Sequence, residues 1–403
     1  MTPMKTEIIV EDIEAAAEVI RRGGLVAVPT ETVYGLAGNG LDRKAVETIY
    51  AVKGRPEIKP LSLMVSGREA MAEYCRDVPA QAGTLAEKFW PGPLTIVLKS
   101  KPVIPDIVRA GGDTIGLRCP DHPATLKLLR LCRVPLAAPS ANPGGAPSPK
   151  TAAEVLAYFD GRIEAVIDGG QCGIGRESTV LDMSETPYRI IRPGALPQAA
   201  VEEALVSAMK ILGITGGTGV GKTTALNVLR DMGGLIIDCD AVYHNLTDTD
   251  KGLRQDIETR FGPVYKNGRL DRKALGAIVF EDEDALLALN AITHKYVGAE
   301  VDRRLRAHAM SGGSLAGIDA VALIESGISR RCTRVFGITA PYETRVKRIM
   351  AREGISREYA EMRINAQKSD AYYRQHCDSI LENHGEMTKF TALCRAAFKE
   401  ENK

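Results

Sequence analysis

The chain has no CxxC pair; its eight cysteines stand apart at positions 75, 119, 132, 172, 239, 332, 377 and 394. That spacing excludes a Cys-rich zinc site and a disulfide framework, and it reads as the reduced thiols of a cytoplasmic protein. Aromatic residues are few, 5% with a single tryptophan, which leaves little for stacking against nucleic-acid bases. Neither sign of charge predominates. The formal net charge is +1, with 23 Lys and Arg against 25 Asp and Glu through residue 208, and 29 against 26 beyond it. An electrostatic footprint for nucleic acid needs a marked basic excess, so no stable DNA partner is expected. Long hydrophobic runs are missing too: nothing approaches the roughly 20 apolar residues of a membrane span. The opening MTPMKTEIIVEDIE is too acidic for a secretory signal, so no membrane association is expected.

What is present is ordinary globular composition over 403 residues, more than one hydrophobic core usually organises. Short β-rich runs alternate with helical patterns in both halves, the signature of α/β layering. In EDIEAAAEVIRRGG, Ile13, Ala16, Ala17 and Ile20 share a helical face, and the glycines at 23 and 24 stop the helix. LVAVPT reads as a strand, DRKAVETIYAVKG as a helix, and PLSLMV, LTIVLKS, TIGLRCP, PLAAPSAN, AVIDGG, STVLDM and YRIIRPG as further strands. LPQAAVEEALVSAMK reads as a helix that closes a first domain, residues 1–208, and runs almost directly into KILGIT at the start of a second, residues 209–403.

MKILGITGGTGVGKTT is the clearest chemical signal. Gly216 through Thr223 satisfy G-x-x-x-x-G-K-(S/T), with a strand before the loop and the helical TTALNVLRDMG after it. Glycines let the backbone wrap closely around phosphate, so that the N–H groups of Thr218, Gly219, Val220 and Gly221 and the helix start point at negative charge. Lys222 would reach the β- and γ-phosphates, and the Thr223 hydroxyl would ligate Mg²⁺. In LIIDCDAVYHNL, read as a strand, Asp238 and Asp240 project to the same side at the carboxyl edge of the sheet. Asp240 then either takes a proton from an attacking hydroxyl or caps the next helix.

Residues 209–403 resemble dephospho-CoA kinase in GITGGTGVGKTT, IIDCDAVYHNL, GRLDRKALGAIVF, LNAITHKYV, IDAVALIESG, REGISREYAEMRINAQ and CDSILENHG. The resemblance implies a P-loop kinase with a parallel sheet flanked by helices, moving the ATP γ-phosphate to the ribose 3′-hydroxyl of dephospho-CoA. It gives catalytic roles to Lys222 and to Asp240, the latter as base or hydroxyl-orienting carboxylate. Arg345, Arg348 and Arg352, spaced i, i+3 and i+7 on one helical face, look like the arginines of a helical lid over the phosphates. The chain departs from the family pattern at Val321–Glu325, at Lys295 and at Cys377.

In the first half, polar groups interrupt apolar strands: Thr30, Glu31, Thr32 and Tyr34 in PTETVYGLAG, then Lys53, Arg55 and Lys59 within seven residues. Thr114 and Arg118 in DTIGLRCP, Ser140 and Asn142 in APSANPGG, Ser148, Ser178 with Thr179, and Arg192 follow. Cations beside Gly/Pro turns suggest a cleft that collects anions. Residues 5–196 resemble the YrdC-type threonylcarbamoyl-AMP synthase family in PTETVYGL, KGRP, FWPGPLTIVL, IGLRCPDHP, APSANPGG, ESTV and RPG. That resemblance implies a twisted open α/β sheet that joins L-threonine, bicarbonate and ATP into threonylcarbamoyl-adenylate, with release of pyrophosphate. The product would pass to downstream tRNA-modification proteins. Lys53, Arg55, Lys59, Thr114, Ser140, Ser148 and Arg192 would hold ATP, Arg55 with a catalytic share. Thr32, Arg118, the backbone at Ala138, and Ser178 would hold threonine, Arg118 pairing with its carboxylate. Met64 stands where some members carry a histidine. A competing reading makes the first half a module for RNA, double-stranded RNA included, and gives the kinase another small acceptor.

Overall fold

The structure is a computed structural model that describes residues 5–56, 59–279 and 281–400. Its contacts divide the chain into two compact units: one runs to Ala208 and takes in Met310–Gly312, the other holds Met209–Ala309 and the residues from Gly313 onward.

The first unit is built on a mixed sheet. Its strands are β1 (Glu7–Ile9), β2 (Val26–Val28), β3 (Gly35–Asn39), β4 (Ser62–Met64), β5 (Leu94–Lys99), β6 (Thr114–Arg118), β7 (Leu136–Ala137), β8 (Ala165–Ile167), β9 (Thr179–Asp182) and β10 (Arg189–Arg192). They lie side by side in the order β1-β8-β2-β3-β7-β4-β6-β5-β9-β10. Parallel pairs (β4 with β6, β5 with β9) alternate with antiparallel ones (β5 with β6, β4 with β7). The helix Ile13–Arg21 buries the four residues its periodicity selects, with Asp12 accepting from the Ala15 N–H as its cap. The helix Arg43–Lys53 starts at a capping Asp42 and stops at Gly54, whose φ of 58° is a left-handed conformation. The helix Gln198–Ser207 closes the unit, burying Val201, Ala204 and Leu205. The glycine-rich strand GLAGN was not legible as one. It is held between β2 and β7, with Leu36 and Ala37 fully buried, so tertiary pairing overrides weak local propensity.

The second unit carries β11 (Lys210–Thr215), β12 (Leu235–Asp238), a hairpin of β13 (Tyr265–Lys266) and β14 (Arg269–Leu270), β15 (Leu315–Asp319), β16 (Arg334–Thr339) and β17 (Ser379–Glu382). The main sheet, β12-β15-β11-β16-β17, is parallel at every pair. Parallel strands demand crossovers, and apolar runs such as KILGIT and RVFGIT, buried almost throughout, fit strands covered on both faces. Leu212, Ile214, Phe336 and Ile338 from the central strands pack with Leu226 and Leu229 of the helix Lys222–Asp231 and with Phe390 and Phe398. The doubly covered sheet thereby fixes the loop after β11 at its carboxyl edge.

Candidate active sites

Each unit has a cavity at the position its sequence marks. In the first, the cavity encloses about 390 Å³. Its floor is one face of the sheet. Register places Ser62, Gly116, Val97 and Asp182 next to one another across four strands. One step along, Met64, Arg118, Thr95 and Val180 also line it, as the two-residue period of strands requires. Gly116 keeps the centre of the floor low: a Cβ there would stand 3.1 Å from the Thr95 methyl.

Of the residues expected to bind ligands, Arg55, Thr114, Arg118, Ala138, Ser140, Ser178 and Arg192 line this one cavity. Arg55 Nη2 donates to the Pro60 carbonyl at 3.0 Å, while its buried Nε has no partner among the described residues. A buried unpaired donor costs roughly 1–3 kcal/mol, a cost an anion would remove. Burial also lowers the pKa of this guanidinium. Arg118 is 7% exposed; its Nη2 bonds the Glu31 carboxylate at 2.7 Å and the Thr32 hydroxyl at 2.8 Å, and its Nε donates to the Gly92 carbonyl at 3.3 Å. Arg192 donates to the Ser178 carbonyl and hydroxyl, at 2.8 Å and 3.0 Å from Nη2, and the same hydroxyl meets Thr95 Oγ1 at 2.8 Å.

Four expected ligands stand elsewhere. Thr32 is fully buried and reaches the site only through Arg118. Ser148 donates to Glu177 at 2.8 Å, so Glu177 is the member of that pair on the cavity wall. Lys59 is exposed off the wall. Lys53, 3% exposed, turns inward at the end of its helix and donates to the carbonyls of Ser140 and Asn142, pinning the segment that carries Ser140. The three cations that are close in sequence are therefore separated in space, because the left-handed turn at Gly54 sends Lys53 and Arg55 different ways.

Burial, aided by the nearby Arg55 charge, pushes the Lys53 ammonium down to about 8 from an ordinary 10.5. The folded pKa is depressed, so between these values the unfolded chain binds more protons and stability rises with pH. A shift of this size corresponds to about 3 kcal/mol. We expect Lys53→Met to remove that rise. Urea unfolding followed by Trp90 fluorescence at pH 7.5 and pH 10, wild type against variant, checks it; parallel curves would contradict the assignment.

In the second unit, a cavity of about 320 Å³ is lined by Gly217, Thr218, Gly219, Gly221, Lys222 and Thr223 together with Arg348, Arg352 and Asn383. Val220, 1% exposed, is instead part of the core. The expected lid arginines divide. Arg345 is 6% exposed and donates from Nε to the Thr218 carbonyl at 3.0 Å. Arg348 donates to the carbonyls of Gly219 (3.0 Å) and Val220 (3.3 Å). Only Arg352 faces the cavity without gripping the loop, and it pairs with Glu353 at 2.6 Å. Helix Tyr342–Glu353 thus brackets the loop from outside through Arg345 and Arg348, which a detached lid would not do. The Val220 carbonyl also accepts from Asn383 at 2.8 Å, and Lys222 folds back to the Gly216 carbonyl at 2.9 Å. With these carbonyl oxygens held outward, alternate N–H groups are free to turn to the cavity. Gly221 has φ 108°, and a Cβ there would sit 2.3 Å from Asn383 Nδ2, so the bracket as well as the turn demands glycine.

The paired aspartates differ from expectation. β12 ends at Asp238, which caps the helix Cys239–Thr249 by accepting from the Ala241 N–H at 2.9 Å, and Asp240 stands exposed in that helix's first turn. The capping role belongs to Asp238, which leaves Asp240 available. Asp240 lines a separate cavity of about 290 Å³ with Tyr243, Asn290 and His294. Sequence reading passed over Asp319, at the end of β15 beside Asp238 in register. Burial pushes its carboxyl up to about 6 against the pull of Lys222, with Asp238 and Asp240 adding to the rise, and its buried Oδ1 has no partner among the described residues.

Known proteins divide along the same lines. The Sua5–YciO–YrdC family model, described as telomere recombination, matches residues 18–194, and the dephospho-CoA kinase model matches residues 210–389. A threonylcarbamoyl-AMP synthase of Pyrococcus abyssi is 47% identical over 48% of this chain and 57% of its own length. One of Halorhodospira halophila is 36% identical over 43% of this chain and 91% of its own. A dephospho-CoA kinase of Symbiobacterium thermophilum is 37% identical over 47% of this chain and 81% of its own. The chain spans only a little over half the length of the longer synthases it matches.

Proposed function

Since the chain belongs to the threonylcarbamoyl-AMP synthase family over its first half and to the dephospho-CoA kinase family over its second, we propose that it catalyses both reactions. The first consumes L-threonine, bicarbonate and ATP. The threonine amine and bicarbonate condense to a carbamate with loss of water; a carbamate oxygen attacks the α-phosphorus, and the bond to pyrophosphate breaks. Two anions must meet, a repulsion of about 4 kcal/mol at roughly 4 Å and an effective dielectric near 20. Arg55, Arg118 and Arg192 offset it from fixed positions around one cavity, and this convergence is the observation that carries the reading. Ser140, Ser178 and Thr114 supply neutral hydrogen bonds there. No side-chain nucleophile is required.

The second reaction moves the ATP γ-phosphate to the 3′-hydroxyl of dephospho-CoA. The loop amides and Lys222 receive the triphosphate; Asp240, on the wall of a separate cavity and near enough to act on Asp319 as Lys222 does, orients the acceptor hydroxyl and accepts its proton. Mg²⁺ fits the donors present. The Thr223 hydroxyl and the unpartnered Asp319 oxygen are hard ligands, and magnesium commonly takes one or two protein oxygens and completes its shell with phosphate and water. Bound there, it would neutralise charge on the β- and γ-phosphates. No described helix is long and apolar enough to cross a membrane. The adenylate would then pass to proteins that modify tRNA.

Two incubations test the proposal, ATP with threonine and bicarbonate in one and ATP with dephospho-CoA in the other, with products identified by mass. Absence of threonylcarbamoyl-adenylate or of CoA would remove the corresponding half. We also expect Arg55→Ala to slow threonine-dependent ATP–pyrophosphate exchange by roughly tenfold to a hundredfold, the worth of one or two charge-assisted hydrogen bonds, about 1.5–3 kcal/mol. Unchanged exchange would take Arg55 out of the site.

A further inference from the structure

Thr218 is held by one side chain through both of its polar groups. Gln367 Oε1 accepts the Thr218 backbone N–H at 2.7 Å, and Gln367 Nε2 donates to Thr218 Oγ1 at 2.7 Å. The same Oε1 accepts from Arg345 Nη2 at 3.2 Å, while Arg345 Nε holds the Thr218 carbonyl. N–H, hydroxyl and carbonyl of one loop residue are therefore all engaged by two side chains that lie 127 and 149 residues further along the chain. Gln367 follows the helix Arg357–Asn365, which packs on the helix bearing Arg345. The fit is tight. A Cβ at Gly217 would come within 2.3 Å of Arg345 Nη2 and 2.9 Å of Gln367 Oε1, although Gly217 needs no left-handed backbone.

We propose that Gln367 is a positioning residue for the phosphate loop: with Arg345 it fixes Thr218 before nucleotide arrives, so that the amides beyond Thr218 are already turned toward the triphosphate. The proposal rests on the kinase reading of this cavity. Its logic is preorganisation. A loop left without the clamp must order itself on binding, which weakens every ligand that uses the loop's amides and leaves one that does not use them unaffected. The clamp also takes the Thr218 N–H out of phosphate binding and assigns the cradle to Gly219 through Thr223.

The test is equilibrium binding of ATP and of adenosine to the full chain, the loop site being the part of the ATP binding that Lys222→Ala removes, followed by steady-state kinetics of phosphoryl transfer. In Gln367→Ala we expect ATP to bind the loop site about tenfold more weakly, with adenosine, which has no phosphate for the amides, binding within twofold of wild type, the ATP KM of phosphoryl transfer to rise in parallel, and kcat to change by less than threefold. Thr218→Ala combined with Gln367→Ala should weaken ATP no further than Gln367→Ala alone, because both remove parts of one contact. Equal weakening of ATP and adenosine, an unchanged ATP affinity at the loop site, or a fall in kcat at constant ATP KM would each overturn the proposal. If Gln367→Ala fails to fold, Gly217→Ala, which drives a methyl into the same clamp, should give the same ATP-selective loss. Since ATP binding needs no acceptor, a negative result with dephospho-CoA would leave the binding measurements as the test.

Discussion

Lys222→Ala should lower phosphoryl transfer by roughly 10²–10³-fold while threonine-dependent adenylate synthesis proceeds at the wild-type rate. Lys222 lies on the wall of the loop cavity, and its ammonium donates to the Gly216 carbonyl at 2.9 Å. It is the charge nearest in sequence to the loop amides and one whose field reaches Asp319, which it pulls down against burial. Removing it therefore subtracts a fixed positive charge from the position where transferred negative charge accumulates, a loss typically of about 3–4 kcal/mol in the transition state. The truncation sits at a half-buried position in the first turn of the helix, outside the hydrophobic core, so little stability should go with it. All residues lining the synthase cavity fall between Val33 and Arg192, and all those lining the loop cavity between Gly217 and Phe390. Assaying both activities on one preparation reads the contrast directly; parallel loss of both in a folded variant would contradict independent sites.

The elements that were legible are those whose instructions are local. The P-loop was readable because strand, glycines, lysine and helix follow without interruption, and the capped helix Arg43–Lys53 because Asp42 and Gly54 flank it. What escaped depends on partners distant in sequence. Thr95 and Asp182 line the synthase cavity because register brings alternate positions of β5 and β9 onto the floor, and neither strand advertises which face that is. Gln367 has no local signature, since its partner is 149 residues away. Arginines at i, i+3 and i+7 share a helical side, but their spacing does not say that two of them, Arg345 and Arg348, meet the carbonyl oxygens of the loop. Nor does the sequence around Lys53 say that its ammonium ties two backbone carbonyls, those of Ser140 and Asn142.

That distinction between holding the scaffold and holding the ligand is sharpest at Arg118, where both roles meet. Its side chain is 9% exposed and that of Glu31 13%, and the pair is closed at 2.7 Å, with the other Glu31 oxygen accepting from the Asp121 N–H at 2.9 Å. Deleting one partner of such a pair strands the other charge, typically at about 3–5 kcal/mol, so Arg118→Ala should be strongly destabilised for reasons unrelated to substrate. It should also raise the threonine KM at least thirtyfold, since losing a buried charge-assisted contact to a carboxylate commonly costs about 2–5 kcal/mol. The two effects separate in the double variant Arg118→Met with Glu31→Gln. Replacing both charges by groups of similar volume leaves nothing ionised to strand, so most of the stability should return, by urea unfolding, while the threonine KM stays high. If the double variant regains threonine use along with stability, Arg118 serves only as a strut for the loop that carries Glu31 and Thr32. If stability returns alone, the guanidinium is the group that receives the amino-acid carboxylate, and Glu31 is what keeps that charge affordable inside the sheet until the substrate arrives.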